Sequence, residues 1–512
     1  MIEENKSSMK NSVRRLIIAG IGVLIQIIWV VVLVMRLNQY SQIITLLTVA
    51  IELVLVLAVY SMDTNAAFKL PWIILITVAP IVGICVFFLF GRSGATKKVR
   101  ARYRKIDQQL FAYLNQDEQI IDELSKKDER LANDFKYLWK CASSPVYKNT
   151  DVKYYGDTCD AMAAQLEDMM QAKKFIFLEY HAIEMAESFQ ALRKVLMAKA
   201  REGVEIRILY DDAGCIGFLN PRFIKYMESM GIQCRVFNPI MPVLNIFMNN
   251  RDHRKITVID GKVAYTGGYN LADEYFNITH PYGQWKDSGI RFEGDAVQTA
   301  TILFLEMWNA LREQDVDIEK YLPVYPYKAK EQGFFALYGD SPLDKEPAGE
   351  NVYMNLLRHA KKYIYFTTPY LILSDEMTRE LTGAAKRGVD VRIITPGIPD
   401  KKTIFQVTKS YYPQLLKHGV KIYEYTPGFM HEKQCICDGE IVVVGTINLD
   451  FRSLYLHFEN AALFCGYAAV SHVKEDFDAL FPICKDMSKE PSERTRRLRL
   501  SQLILRLFSP LM

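Results

Sequence analysis

HRKITVIDGKVAYTGGYN occupies residues 253–270, and HEKQCICDGEIVVVGTIN occupies residues 431–448. Counted from the leading histidine, both stretches carry Lys at +2, Asp at +7, Gly at +14 and Asn at +17. Ile256, Val258, Ile259 and Ile436 read as strand core. Asp260-Gly261 and Asp438-Gly439 mark hairpin turns. The return strands end in Gly267-Gly268 and Gly445-Thr446, then Asn270 and Asn448, where small residues let the backbone approach a ligand. Residues two apart on a strand share a face, so His253 and Lys255 point one way, and so do His431 and Lys433. One His-x-Lys pair is commonly a surface pair. Two at identical spacing, using two of only eight histidines, mark a site.

The likeness of the two stretches extends outward. Ala172-Lys173-Lys174-Phe175-Ile176-Phe177 matches Ala360-Lys361-Lys362-Tyr363-Ile364-Tyr365. Residues 200–208, with Gly203 before an apolar strand, match residues 385–393 with Gly388. Gly231-Ile232 and Gly419-Val420 each lead into another apolar strand. The region from about 150 to 485 is therefore an internal repeat. Apolar strands alternating with helical stretches give an α/β fold, sheets with helices on their faces. Two copies of one unit predict a pseudo-two-fold pair of domains meeting at a shared cleft.

Paired histidines and lysines suit phosphodiester transfer. Lysine ammonium groups neutralise phosphate oxygens, and asparagines add neutral donors. One imidazole attacks phosphorus while the other protonates the leaving alcohol. Gly268 and Thr446 are placed with Asn270 and Asn448 as substrate-binding residues. No carboxylate cluster suited to a two-metal centre accompanies the motifs, so a metal is not required. Asp260 and Asp438, seven residues on, lie roughly 20 Å along a strand from their histidines. They belong to the motif but read as turn residues. Asp287 and Glu459 lie further on, each opening another apolar strand that returns it to the cleft. They are the expected orienting acids. His181 ends a buried strand on the cleft side, and Asp211 and Asp212 read as a loop cap.

Three apolar runs open the chain: Leu16 to Met35, Ile43 to Tyr60 and Pro71 to Phe90. Their lengths suit helices crossing a ~30 Å hydrocarbon core. Glu52, near the middle of the second run, faces another helix or marks an interfacial hairpin. A dense basic cluster, from Arg92 to Lys105, follows the third run and assigns the C-terminal region to the cytoplasmic face. Nine cysteines without a CxxC pair fit reduced thiols there. Net charge is only +4, so bulk charge demands no nucleic-acid partner. The tail from Arg494 to Met512 alternates arginines with leucines in a basic amphipathic pattern. The expected division is a membrane anchor of two or three helices over 1–95, a juxtamembrane linker over 96–149, repeats over 150–325 and 326–486, and the tail over 487–512.

The pattern HxK-x4-D followed by G[GST]xN resembles the phospholipase D superfamily. The surrounding residues resemble its bacterial cardiolipin synthases: Asn249 to Lys255, Trp285-Lys286-Asp287, Gly445 to Ser453 and Ser509-Pro510-Leu511. Thr446 replaces the more usual Ser, and an extra apolar run precedes the usual pair. The resemblance implies two tandem phospholipase D-like domains in a multi-pass protein of the cell membrane. It implies that two phosphatidylglycerol molecules give cardiolipin and glycerol, an exchange of one phosphodiester for another that needs no cofactor, with His253 as nucleophile and His431 as general acid. Phosphatidylglycerol and cardiolipin in the bilayer are the implied partners. Homo-oligomerisation stays open. A phospholipase D-type hydrolase, or a transferase with another donor or acceptor lipid, is the alternative.

Overall fold

The computed structural model describes residues 42–88, 97–219, 222–240, 249–312, 315, 317–490 and 498–511, with six further positions between 21 and 32. The first repeat contributes β1 (Thr150–Tyr155), β2 (Phe175–Tyr180), β3 (Glu205–Asp211), β4 (Gln233–Phe237), β5 (Lys255–Ile259), β6 (Val263–Gly267) and β7 (Gly289–Gly294). They form one sheet in the order β1-β7-β6-β5-β2-β3-β4. All six residues of β2 are buried, as expected of a central strand covered on both faces.

The second repeat gives β8 (Phe334–Asp340), β9 (Tyr363–Thr367), β10 (Asp390–Pro396), β11 (Lys421–Tyr425), β12 (Gln434–Cys437), β13 (Ile441–Gly445), β14 (His457–Cys465) and β15 (Cys484–Asp486). Their order is β8-β14-β13-β12-β9-β10-β11-β15. Both motifs are thus hairpins, β5–β6 and β12–β13, as their Asp-Gly turns predict. The sheets pack face to face over a core shared by the repeats, which includes Phe177, Val258, Phe292, Ile436, Val442 and Phe464. Alternate residues of the same strands face outer helical layers. Cys435 and Cys437 lie there, buried on one face.

Two short strand pairings cross between the repeats. Arg251–Asp252, just before His253, runs parallel to His457–Phe458. Gly428–Met430, just before His431, runs parallel to Gln284–Lys286. The backbone N–H groups of His253 and His431 donate to Phe458 O (2.9 Å) and Lys286 O (2.8 Å). Each motif histidine is therefore seated by the chain that leads into the other repeat's acid.

The N-terminal expectation needs correction. Among the described residues no helix is long and apolar enough to cross a membrane. The first apolar run lies almost wholly outside the described residues. The second forms α1 (Gln42–Tyr60), with Glu52 half-buried. The third divides into α2 (Ala66–Val78) and α3 (Pro80–Val86). Pro80 lacks an amide hydrogen and pushes the preceding Ala79 out of helical geometry, so the helix ends there. The chain then folds back so closely that a Cβ on Gly83 would stand 2.5 Å from Leu75 O.

α4 (Lys97–Leu110) follows and packs on α5 (Val297–Leu311), a helix buried almost throughout. Farther along, α6 (Lys402–Lys417) and α7 (Phe451–Tyr455) carry contacts to both chain ends. Phe68 of α2 packs edge-on against Phe451 and Tyr455 of α7. The C-terminal α8 (Leu500–Phe508) lies on α6 with its polar side inward, Arg506 stacked 4.0 Å from the Tyr411 ring centroid. Its Leu500, Leu503, Ile504 and Phe508 face outward.

Candidate active site

The two hairpins bring both His-x-Lys pairs to the seam between the sheets, where His253, Lys255, His431 and Lys433 are all buried. Their orienting carboxylates come crosswise. His253 Nδ1 lies 2.8 Å from Glu459 Oε2, and His431 Nδ1 lies 2.5 Å from Asp287 Oδ2. Each acid does return to the cleft, Glu459 within β14 and Asp287 in the two-residue link between Gln284–Lys286 and β7, but it reaches the histidine of the opposite repeat. A neutral imidazole donating Nδ1–H to a carboxylate keeps its Nε2 lone pair free. Burial, then the charges of Lys255 and Lys433, hold both imidazoles well below the usual histidine range, so both are neutral in the resting site.

Burial also lowers the lysines, Lys255 to about 7 and Lys433 to about 8, and raises Asp287 to about 6. Lys255 Nζ donates to His253 O at 2.7 Å. Lys433 Nζ donates to His431 O and lies 2.8 Å from His431 Nδ1. A bound phosphodiester would supply the anion that these desolvated ammonium groups lack.

The remaining motif residues divide. Asn448 Oδ1 is buried without a hydrogen-bond partner. Asn270 is engaged, accepting from Ala182 N (3.1 Å) and donating to the Tyr275 hydroxyl (2.8 Å). Gly268 and Thr446, expected to bind substrate, stand against the acids. A Cβ on Gly268 would stand 2.1 Å from Asp287 Oδ1, so only glycine leaves that carboxylate its place. The Thr446 hydroxyl donates to Glu459 Oε2 at 2.5 Å.

Asp260 and Asp438, counted with the catalytic motif, stand at the far end of each hairpin. Asp260 accepts from the backbone N–H groups of Lys173, Lys174 and Phe175 at 2.7–2.9 Å. Asp438 accepts from Lys361, Lys362 and Tyr363 at 2.7–2.8 Å. Their carboxylates tie hairpin to sheet and touch no reacting group.

The sequence reading missed His457. It precedes Glu459 by two residues, as Trp285 precedes Asp287, and aligning those two segments would have found it. The pair breaks the symmetry. Trp285 lies 5.0 Å from the His431 ring, with Tyr275 at 5.2 Å and Phe429 at 5.7 Å. His253 instead has His181 at 5.0 Å and His457 at 5.6 Å. His181 Nδ1 lies 2.7 Å from Asp252 O, placing this residue beside the site rather than in the core. Asp211 caps the following turn and also accepts from Arg251 (3.1 Å) and Asp252 N (3.0 Å), which fixes the strand before His253.

His253, His457 and Glu459 offer ligand atoms within 4.8 Å of one another, the one such set among the described residues. Arg452 Nε donates to His457 Nε2 at 3.3 Å, so a cation there would meet an existing positive charge. The set fits imidazole orientation better than metal binding.

Residues 166–308 and 353–481 match the family model described as cardiolipin synthase, PLD-like domain. An uncharacterized protein of Streptococcus mutans is 39% identical over 460 residues, which span 90% of this chain and 99% of that protein. The cardiolipin synthase of Halalkalibacterium halodurans is 32% identical, over 86% of this chain and 87% of its own. Among solved structures, phosphatidylserine synthase of Haemophilus influenzae superposes with a TM-score of 0.53 at 14% identity, covering 70% of this chain and 93% of that one.

Proposed function

Since the chain belongs to the cardiolipin synthase family of PLD-like enzymes, we infer that its crossed histidine–acid pairs exchange one phosphodiester for another. The protein is a phosphatidyltransferase that makes cardiolipin. The donor lipid's phosphate sits between Lys255 and Lys433, with Asn448 and Asn270 as neutral partners. His253 Nε2 attacks phosphorus, the bond to the headgroup glycerol breaks, and His431, which takes a proton from solvent at Nε2 when the anionic substrate binds, gives that proton to the departing oxygen. His431 then takes the proton of the terminal hydroxyl of a second phosphatidylglycerol. That oxygen attacks phosphorus and the P–N bond breaks, giving cardiolipin and restoring both imidazoles. The exchange balances without a nucleotide or a metal.

The carrying observation is the crosswise pairing of Asp287 with His431 and Glu459 with His253. It also favours the division of labour. The 2.5 Å contact puts Asp287 close enough to support an imidazolium on His431, as a general acid needs. Glu459 shares its charge with the Thr446 hydroxyl and supports one on His253 less. Burial, then Lys433 and Lys255, hold His431 neutral; a phosphodiester's negative charge offsets the lysines, so substrate itself helps load the acid.

Membrane attachment belongs to the same proposal. The outer faces of α1 and α2 expose Leu46, Leu53, Leu57, Leu70 and Ile74, and α8 adds Leu503, Ile504 and Phe508 beside them. This continuous apolar surface suits insertion into a cytoplasmic leaflet, where the substrate resides. Purified protein in detergent with phosphatidylglycerol alone tests the function. Cardiolipin and glycerol are expected, and phosphatidic acid as the main product would favour a hydrolase.

A further inference from the structure

Behind the catalytic strands lies a second cavity of about 380 Å³, between α4 and the seam of the repeats. This falls within the roughly 300–1,000 Å³ typical of small-molecule sites. Arg100 and Arg104, one turn apart on α4, stand on one wall, and Lys345 on another. Arg100 is half-buried, and its Nε is shielded from water with no hydrogen-bond partner. Among the described residues neither arginine has an ion-pair partner. A buried guanidinium N–H without an acceptor is costly, and a bound anion removes that cost.

The floor differs. Asp107, whose Oδ1 is also buried and unpartnered, lines it with Glu306 and Arg254. Arg254 and Glu306 satisfy each other at 2.8 Å. Burial beside Glu306 pushes the Asp107 carboxyl up to about 8. A bare dianion would fill only the basic wall. A ligand carrying both a phosphate and free hydroxyls fits both, its oxygens on the arginine forks and its hydroxyls on the carboxyls.

The cavity is separate from the histidine centre yet touches the chain that builds it. Arg254 stands between His253 and Lys255. Tyr103 of α4 stacks on Phe458, between His457 and Glu459, with ring centroids 5.3 Å apart. Its rim meets the apolar hairpin, where Lys345 pairs with Asp63 of the α1–α2 turn at 3.6 Å.

We propose that this cavity is a second phosphate site, which takes a polyol phosphate such as glycerol phosphate, free or as a lipid headgroup, on Arg100, Arg104 and Lys345. The test is the binding stoichiometry of the full chain in detergent micelles, in a His253→Ala background that prevents turnover. Labelled glycerol phosphate and dioctanoyl phosphatidylglycerol serve as probes. Two sites per chain are expected. Arg100→Gln/Arg104→Gln should remove one, weakening it about ten-fold or more, and Lys255→Met/Lys433→Met should remove the other. Loss of lipid binding alone assigns the headgroup as ligand, and loss of glycerol phosphate binding as well assigns the shared chemistry. Stoichiometry and affinity unchanged in the arginine variant, for both probes, would overturn the proposal. Cardiolipin formation by Arg100→Gln/Arg104→Gln with both histidines intact reports its folding. Should that variant not fold, Lys345→Gln on the opposite wall is read the same way. Failure of wild-type protein to form cardiolipin would sink the transferase reading and leave the glycerol phosphate count untouched.

Discussion

Asp287, which belongs to the first repeat, holds Nδ1 of His431, which belongs to the second, at 2.5 Å. The partnership links an acid to a histidine 144 residues away, and Glu459 repeats it in reverse across 206 residues to His253. Asp287→Asn should therefore imitate damage to the general acid. Turnover of phosphatidylglycerol should fall roughly 10²–10⁴-fold. A substrate with a p-nitrophenol leaving group, which departs unprotonated, should recover much of the first step. Glu459→Gln should slow both substrates alike. Equal responses of the two variants would contradict the division of roles.

His253→Ala and His431→Ala should each abolish cardiolipin formation while the protein stays folded. A phosphatidyl adduct trapped during turnover by quenching in alkaline detergent, which preserves the acid-labile P–N bond, and located by mass spectrometry should sit on His253. Finding it on His431 would reverse the assignment.

Lys255 and Lys433 titrate low because they are desolvated. A phosphodiester between them restores their charge, so binding takes up protons wherever the free lysines have begun to lose them. The sign follows: affinity should fall as pH rises from about 7, where free Lys255 loses its proton, and more steeply above about 8, where Lys433 does, and proton uptake should appear as a buffer-dependent binding enthalpy. Lys433→Met should weaken binding and abolish part of that uptake. An uptake unchanged by both Lys→Met substitutions would show that phosphate binds elsewhere.

Gly268→Ala asks whether the acid's position matters. The added methyl would stand 2.1 Å from Asp287 Oδ1, so the carboxylate must move off His431. Turnover per folded molecule should drop sharply, beyond the loss of stability that displacing a buried carboxylate brings. Wild-type turnover would separate Asp287 from the chemistry.

Asp260→Asn and Asp438→Asn should behave in the opposite way. Both aspartates sit at positive φ, 53° and 54°, which asparagine tolerates, but the substitution removes a charged acceptor from three backbone N–H groups. A loss of about 1–3 kcal/mol of stability is expected, with turnover per folded molecule near that of wild type. Chemical denaturation alongside an active-site-normalised rate checks both halves.

The hairpins, the repeat and the residues of the centre were legible because each is local. His253 and Lys255 share a strand face by spacing alone, and the Asp-Gly turns announce themselves. The crossing was not legible, because it depends on strands of two and three residues, Arg251–Asp252 and Gln284–Lys286, too short to carry a period. The contacts of Thr446 and Gly268 with the acids were hidden for a related reason. Their partners are carboxylates brought from elsewhere in the chain, and sequence distance hides that contact. The third apolar run was read by its length, while Pro80 inside it decided the outcome.

Duplication ordinarily frees one copy to drift while the other keeps the work. The short parallel pairings that carry Glu459 to His253 and Asp287 to His431 remove that freedom. Damage to the acid of either half disables a histidine in the other, so selection acts on the two copies as a single locus. The departures that survive, such as His457 where the other half has Trp285, are those the shared centre tolerates or uses. Neither half, excised or inherited alone, would carry a complete histidine–acid pair.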